Sequence, residues 1–170
     1  MLVRPTSDRA REALFNILGP EKVSGALVLD LFAGTGALGL EALSRGAEKA
    51  VFVEKSGFAI GLIKKNITLC GFSERSYVLK RDLLKGRFFL PEMVEFSTPY
   101  DLVLLDPPYR HKYCLRLMPE LVDCGIIGQN GIIVCEEHAT ESMPDSLAAL
   151  ELFDRRRYGD TGFWLYRLKL

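Results

Sequence analysis

Residues 30–39 of this 170-residue chain read D-L-F-A-G-T-G-A-L-G. The segment Ala26 to Phe32 is apolar enough for a buried strand, and Ala37 to Arg45 has the composition of a helix. Between them, Gly34 and Gly36 permit a tight turn with a close backbone approach to a ligand, and Gly39 lets the helix pack near the strand. A strand, a glycine-rich turn and a helix in this order predict the first unit of a parallel α/β sheet.

Strand-like and helix-like segments alternate along the chain on both sides of this unit. Helices are predicted at 8–18, where Thr6, Ser7 and Asp8 are candidate caps, and at 58–70 and 113–124. Strands are predicted at 50–53, 77–80, 101–105 and 131–136, whereas residues 83–96 are ambiguous. Two further strands, 151–158 and 163–168, flank the turn residues G-D-T-G and predict an antiparallel hairpin. The fold class predicted is α/β and Rossmann-like, with a mainly parallel seven-stranded sheet, helices on both faces and a C-terminal antiparallel hairpin.

Composition limits the classes of function. A chain that is 48% hydrophobic and 26% charged predicts one globular domain, 1–170, on which an N-terminal helical segment, 1–24, packs. Lys plus Arg and Asp plus Glu both number 22, so any surface for a polyanion must be a local patch. The four cysteines show no CxxC spacing, which favours reduced thiols over a metal site. Without a signal segment or a long apolar run, we expect a cytoplasmic protein with no membrane partner. We also expect a monomer.

A second motif, Asp106-Pro107-Pro108-Tyr109, directly follows the apolar run 102–105. The prolines fix the backbone and bias the residues before them away from helix, which leaves a rigid pair of hydrogen-bond acceptors. A planar group with an NH2 could donate to the Asp106 carboxylate and the Pro107 carbonyl while the Tyr109 ring stacks on its face. This chemistry predicts a site for the exocyclic amine of a nucleobase.

Four acidic residues lie at the ends of the first four predicted strands: Asp30, Glu54, Asp82 and Asp106. Ligands of open parallel sheets bind beyond these carboxyl ends. Glu54 could bind both hydroxyls of a ribose, Asp82 an adenine amino group, and Asp30 an ammonium group directly or through water. Because residues 34–39 also match G-x-G-x-x-G, a nicotinamide or flavin dinucleotide fits the spacing as well.

Several stretches together carry a family resemblance. They are R-P-T-S-D-R-A-R-E-A-L-F-N-I-L at 4–18, D-x-F-A-G-T-G-A-L-G-L-E-A-L-S-R-G at 30–46, the acid at 54, D-P-P-Y, and R-R-Y-G-D-T at 156–161. The chain resembles the bacterial small-subunit ribosomal RNA guanine-N2 methyltransferases over nearly its whole length. The opening segment favours guanine N2 in 16S rRNA over adenine N6 in DNA, because the other motifs are shared by many amino-methylating enzymes.

The resemblance implies a class I methyltransferase fold with S-adenosylmethionine as cofactor. It implies 16S rRNA as substrate, within the small ribosomal subunit or an assembly intermediate, and direct in-line methyl transfer. The catalytic residues implied are Asp106, Pro107, Pro108 and Tyr109. The cofactor-binding residues implied are Asp30, Phe32, Ala33, Gly34, Thr35, Gly36, Glu54, Lys55, Asp82 and Leu83. The substrate-binding residues implied are Arg4, Thr6, Arg9, Arg110 and Lys112, and Arg155, Arg156 and Arg157 form a further basic cluster.

One departure from the family concerns the N-terminus. Family members usually carry a basic segment ahead of the R-P-T run, and this sequence begins three residues before Arg4. We therefore expect either a start inside a longer protein or the loss of part of the family's RNA-binding surface, with the cofactor site unaffected.

Three alternatives stay open at this point. A DNA adenine-N6 or protein-glutamine methyltransferase would use the same two motifs. A dinucleotide oxidoreductase would share only residues 34–39 and would leave D-P-P-Y unexplained. A non-catalytic RNA-binding module would keep the fold but would need none of Asp30, Glu54 and Asp106.

Overall fold

A computed structural model describes residues 8–85 and 99–169. The candidate caps Thr6 and Ser7, the substrate residue Arg4 and most of the ambiguous segment 83–96 lie outside the described residues. The helices are α1 (Asp8–Leu18), α2 (Pro20–Val23), α3 (Ala37–Ser44), α4 (Gly57–Cys70) and α5 (Tyr113–Asp123), with a 3-10 turn at Ser73–Arg75. The strands are β1 (Leu27–Leu31), β2 (Lys49–Glu54), β3 (Ser76–Lys80), β4 (Tyr100–Leu105), β5 (Ile127–His138), β6 (Ser146–Leu147), β7 (Leu150–Tyr158) and β8 (Thr161–Leu168).

The strands form one sheet in the order β3-β2-β1-β4-β5-β8-β7-β6. The four pairs β3–β2, β2–β1, β1–β4 and β4–β5 are parallel. The pairs β5–β8, β8–β7 and β7–β6 are antiparallel. This confirms the Rossmann-like class with its C-terminal hairpin. Within the part of the chain that the structure describes, the sheet has eight strands where seven were predicted, because the two-residue β6 is too short to give a pattern in the sequence.

The hairpin is tighter than the sequence predicted. Thr161 pairs with Tyr158 on one side and with His138 on the other, so β8 begins two residues earlier than expected. The turn shrinks to Gly159 and Asp160, and Gly159 adopts a φ of 59°. It lies beside the carboxyl end of β5, which places the hairpin turn at the end of the sheet where the parallel strands finish.

Two hydrophobic clusters cover the two faces of the sheet. On one, here called the α3 face, α1, α3 and α4 pack against side chains that include Phe52, Leu104, Val134 and Phe163. On the other, the α5 face, α5 packs against side chains that include Leu31, Leu105, Cys135 and Trp164. Consecutive residues of a strand therefore alternate between the two faces, as the pleat requires.

Helix α4 begins one residue before the predicted start at Phe58 and ends at Cys70 as predicted. The Ser56 side chain accepts a hydrogen bond from the Ala59 N–H at 3.3 Å, and Gly71 ends the helix with a left-handed φ of 74°. The crossover from β2 to β3 is thereby fixed at both ends, and the start of α4 stays close to Glu54.

Candidate active site

The glycine loop after β1 owes its tight turn to its own backbone conformation. Gly34 and Gly36 adopt φ values of 58° and 80°, and the Gly36 N–H donates to the Ala33 carbonyl at 2.7 Å. Asn66 of α4 donates from Nδ2 to the Thr35 carbonyl at 3.0 Å. The loop has the tight turn that its glycines predicted, together with a support from α4 that the sequence did not reveal.

Gly39 permits a close contact between α3 and the sheet. A Cβ at this position would overlap the Phe52 ring and would lie 3.0 Å from Asp30 Oδ2. The Gly39 N–H donates to that same oxygen at 3.0 Å. This confirms the packing role predicted for Gly39.

Asp30 lies inside the protein, with 1% of its surface exposed. Burial raises the pKa of its carboxyl to about 7, against a lowering by the Gly39 hydrogen bond and with a further rise from the Glu54 charge. Asp30 thus ties the end of β1 to the start of α3, a structural contact that the sequence did not reveal.

Glu54, the last residue of β2, accepts three backbone hydrogen bonds. Its Oε2 accepts from the Gly34 N–H at 3.0 Å, and its Oε1 accepts from the N–H groups of Lys55 and Ser56 at 2.8 and 2.9 Å. The half-buried carboxylate therefore links the glycine loop to the start of α4. A ribose bound here would share these carboxylate oxygens with the N–H groups, or its hydroxyls would replace some of those N–H groups as donors.

The other predicted cofactor residues lie around the same end of the sheet. Asp82 follows β3 and accepts from the Leu84 N–H at 3.1 Å, while Leu83 is buried and Lys55 is exposed. Asp82 is half-buried at the carboxyl end of β3, on the same edge of the sheet as Asp30 and Glu54.

The Asp106-to-Tyr109 loop follows β4, which is the direct neighbour of β1. The Asp106 N–H donates to the Leu31 carbonyl at 3.4 Å and so joins this loop to the strand that leads into the glycine loop. Pro107 is buried, Pro108 is exposed, and Asp106 and Tyr109 are half-buried. The two sequence motifs are therefore adjacent in the structure.

The Tyr109 hydroxyl points towards β5 and β8. It donates to Glu136 Oε1 at 2.6 Å and lies 3.4 Å from Thr161 Oγ1. Burial, followed by the adjacent Glu136 carboxylate, raises the pKa of this phenol well above its ordinary range. The Tyr109 ring also lies edge-on to the His138 ring, with 6.1 Å between the two centroids.

Arg110 and Lys112, both predicted to bind substrate, are exposed and adopt left-handed φ values of 67° and 56°. The Arg110 N–H donates to Glu137 Oε1 at 2.9 Å, and Lys112 is the N-cap residue of α5. Arg9 is exposed on the first turn of α1, and Arg4 and Thr6 lie outside the described residues.

An aromatic row connects the two loops. Phe32 stacks on Tyr113 with 6.1 Å between ring centroids, and Tyr113 stacks on His111 at 5.1 Å. The sequence prediction missed this role of Tyr113, and it also missed Glu136 and Glu137. A signal for the two acids was present: E-E-H follows the apolar run I-I-V-C in the same way that Asp106 follows its own apolar run.

Residues 8–85 and 99–169 lack two features, a metal-binding cluster and a membrane-spanning helix. No group of three or more His, Cys, Asp or Glu side chains there is arranged to hold a metal ion. No helix in these ranges has the length and apolar character needed to cross a membrane.

Comparisons with known proteins agree with this geometry. The family model described as conserved hypothetical protein 95 matches residues 1–167. A relative named ribosomal RNA small subunit methyltransferase D, from Escherichia coli K12, is 36% identical over 166 residues, which cover 97% of this chain and 79% of the relative.

Solved structures share the fold. A conserved hypothetical protein from Streptococcus pyogenes superposes with a TM-score of 0.83 at 33% identity, covering 94% of this chain and 95% of that one. An RNA methyltransferase from Salinibacter ruber in complex with S-adenosyl-L-homocysteine gives a TM-score of 0.69 at 14% identity, covering 95% of this chain and 92% of that one. At this low identity the second likeness is one of fold alone.

Proposed function

The chain belongs to the conserved hypothetical protein 95 family, and from this premise we propose that it transfers a methyl group from S-adenosylmethionine to N2 of a guanine in small-subunit ribosomal RNA. It is a methyltransferase that depends on this cofactor and acts on ribosomal RNA. The finer parts of the proposal are the target atom, the small-subunit substrate and the role of each residue, together with a cytoplasmic location and a monomeric state.

The residues at the glycine loop fit the cofactor. Left-handed glycines keep the backbone of the loop free of Cβ atoms at Gly34 and Gly36. Glu54 presents carboxylate oxygens to a ribose, and Asp82 presents an acceptor to an adenine amino group. When bound, S-adenosylmethionine supplies an electrophilic methyl carbon on its sulfonium.

The observation that carries the proposal is the adjacency of the two loops. Leu31 and Leu105 are paired across β1 and β4, and the Asp106 N–H bonds to the Leu31 carbonyl at 3.4 Å. The acceptors of D-P-P-Y are thus fixed beside the loop that would hold the methyl donor. Such alignment of two reactants is worth roughly 7 to 11 kcal/mol when the geometry is close to that of attack.

The chain's own groups would act on the guanine amine by positioning it. Its lone pair is conjugated into the ring, so acceptors that hold its hydrogens matter more than a strong base. The Asp106 carboxylate and the Pro107 carbonyl accept those hydrogens, and the Tyr109 ring stacks on a base presented from a loop or flipped out of a stem. The bound, neutral Tyr109 hydroxyl fits stacking and does not fit a role as general base.

The RNA backbone would lie across the α5 face at the hairpin. Arg157 pairs with Gly162, which pairs with Glu137, so Arg157 lies two strand spacings, roughly 10 Å, from the residue that holds the Arg110 N–H. Arg155, two residues away, shares this face.

The three arginines of the basic cluster differ from one another in their ion pairs. Among the described residues no carboxylate forms an ion pair with Arg155 or Arg157, whereas Arg156 points to the α3 face and pairs with Asp154 at 3.1 Å. We assign phosphate binding to Arg155 and Arg157, together with Arg110 and Lys112.

Transfer of labelled methyl from S-adenosylmethionine tests the proposed function. Small ribosomal subunits from cells that lack the endogenous enzyme, protein-free 16S rRNA and duplex DNA serve as parallel substrates, and the labelled nucleosides are then identified. Label in N2-methylguanosine from subunits or 16S rRNA, lost in Asp106→Ala, is the expected result. Label in N6-methyladenosine, or none with any substrate while calorimetry shows cofactor binding, would contradict it.

A further inference from the structure

We propose that Glu136 and Thr161 are positioning residues for this methyl transfer, which hold the Tyr109 ring in place through its hydroxyl while Glu137 holds the backbone of Arg110. The inference rests on the proposed function. It concerns three residues from β5 and β8 that lie 27 to 52 positions away from the loop they support. Together these three side chains are called the β5–β8 clamp below.

Burial is the first argument for the clamp. Glu136 and Glu137 are each only 2% exposed, although they are consecutive carboxylates in one strand. A buried carboxylate is costly unless it is hydrogen-bonded, and an acceptor at this depth needs a donor. The loop supplies the donors: the Tyr109 O–H at 2.6 Å from Glu136 and the Arg110 N–H at 2.9 Å from Glu137.

The two carboxylates hold the loop from opposite sides of the sheet. Glu136 is paired with Phe163, a residue of the α3-face cluster, and Glu137 is paired with Gly162. The pleat therefore sends Glu136 to the α3 face and Glu137 to the α5 face. A loop held on both sides of a strand end has little freedom to rotate about that end, and the Tyr109 ring is fixed in direction as well as in position.

Backbone conformation is the second argument. Arg110 and Lys112 occupy left-handed φ values of 67° and 56°, which non-glycine residues adopt only where their surroundings hold them. The hydrogen bond from the Arg110 N–H to Glu137 Oε1 is one such restraint. The same carboxylate oxygen also accepts from the His138 N–H at 3.1 Å. The strained turn immediately after Tyr109 is what the clamp stabilises.

The function of the clamp follows from the reaction geometry. A base that stacks on Tyr109 takes its tilt from that ring, and the tilt sets the distance between the amine and the methyl donor. A misplacement of about 1 Å can cost on the order of 100-fold in rate. Removing the contact between Glu136 and Tyr109 should therefore lower kcat more than it raises KM for the RNA.

A double-mutant cycle tests this directly, with variants Glu136→Ala, Tyr109→Phe and the combination of both. Each single change should lower kcat by about tenfold to 100-fold, with cofactor affinity within about twofold of wild type. The double variant should have a kcat less than about threefold below that of either single variant, because both changes remove the same contact.

Two further variants separate positioning from general damage. Glu136→Gln keeps an oxygen that can accept the Tyr109 hydroxyl proton and should retain kcat within about threefold of wild type. Val134→Ala lies on the same strand and face as Glu136, and Val134 is a buried core residue with 2% exposure. It should lower the unfolding temperature while leaving kcat unchanged.

The outcomes are distinct. Multiplicative effects on kcat in the double variant, or a fall in kcat in Val134→Ala as large as in Glu136→Ala, would overturn the positioning role. Chemical unfolding of wild type, Glu136→Ala, Tyr109→Phe and the double variant measures the coupling energy between Glu136 and Tyr109 without any substrate. If wild type methylates nothing, the proposed function fails; a coupling of zero in unfolding overturns the clamp whether or not methyl transfer is observed.

Discussion

The loops that follow β1 and β4 lie side by side but are held by different means. The glycine loop, 32–36, combines left-handed glycines and a local hydrogen bond from the Gly36 N–H to the Ala33 carbonyl with two side-chain supports from outside the loop. Glu54 accepts from the Gly34 N–H, and Asn66 donates to the Thr35 carbonyl. The Asp106-to-Lys112 loop contains no glycine and is supported by Glu136, Glu137 and Thr161 from other strands. The first loop owes its turn to local backbone conformation, whereas the second owes its shape to side chains from β5 and β8.

This difference separates the two tasks of the site. The glycine loop offers backbone N–H and C=O groups to a cofactor, and its supports are Glu54 at the end of β2 and Asn66 of α4. A loop held by buried carboxylates can present an aromatic ring in one direction, but it depends on residues far along the chain. Binding of the cofactor and alignment of the base should therefore respond to different substitutions.

The largest expected effect tests this separation at Asp106. Asp106→Ala removes an acceptor for the amine hydrogens and should lower methyl transfer on the order of 100- to 1,000-fold, while calorimetric cofactor affinity changes less than about threefold. Asp101→Ala at the opposite end of β4 is a matched control, since Asp101 accepts the Leu27 N–H at 2.9 Å far from the loops. Near wild-type turnover in Asp106→Ala would show that the active-site assignment is wrong.

Substitution of Asp30 tests the buried carboxyl that joins β1 to the start of α3. Its folded pKa of about 7 exceeds the ordinary value of 3.8, so its contribution to stability is complete below about pH 4 and is lost as the pH rises through 7. Across that window wild type should lose roughly 4 kcal/mol relative to Asp30→Asn, at about 1.4 kcal/mol per pKa unit. Urea unfolding of both proteins from pH 4 to 8 measures this loss, and parallel stability curves would show that burial does not raise the pKa of Asp30.

Glu54 should sharpen the contrast on the cofactor side. Glu54→Ala removes the acceptor for three backbone N–H groups, and it should weaken the cofactor by about 10- to 100-fold and lower stability by about 1 to 3 kcal/mol. Calorimetry with S-adenosylmethionine and thermal unfolding measure the two effects. Glu54→Gln, which keeps one oxygen, should lie between the two proteins in both; cofactor affinity unchanged in Glu54→Ala would remove Glu54 from the cofactor site.

Two glycines test whether close packing or helix propensity dominates near the first loop. Gly39→Ala places a Cβ against the Phe52 ring and should destabilise the fold by about 1 to 3 kcal/mol. Gly61→Ala, inside α4 with nothing within 4 Å of the added Cβ, should stabilise it by about 0.5 to 1 kcal/mol. Equal shifts of the same sign in thermal unfolding would refute the packing role of Gly39.

The smallest effect concerns the arginines of β7. Arg157→Gln should weaken RNA binding several-fold at low salt and reduce the slope of log affinity against log salt by about one. Arg156→Gln is the matched control, because Arg156 lies on the α3 face and pairs with Asp154. Filter binding with 16S rRNA fragments at increasing salt measures both slopes, and identical slopes in the two variants would exclude an RNA path over the α5 face.

The sequence predicted the features that depend on short separations. Gly71 ended α4 as expected, the glycine turn after β1 was correctly placed, and the order of strands and helices was confirmed. The sequence did not predict β6, because a two-residue strand exists only through its pairing with Leu150 and Glu151. Nor did it predict the supports from Asn66 and Glu136, because these contacts span 31 and 27 residues and leave no periodic pattern.

The order of the strands also has a consequence for synthesis. In the sheet, β8 lies between β5 and β7, although β7 leaves the ribosome first. At about 5 to 20 residues per second, the eight residues of β8 take on the order of a second to be synthesised, whereas a hairpin closes in about 1 to 10 μs. Translation therefore sets the time at which β5 gains its second neighbour. A nascent chain that ends before Thr161 would already contain every residue of the glycine loop, yet its Tyr109 would lack a contact that only β8 provides.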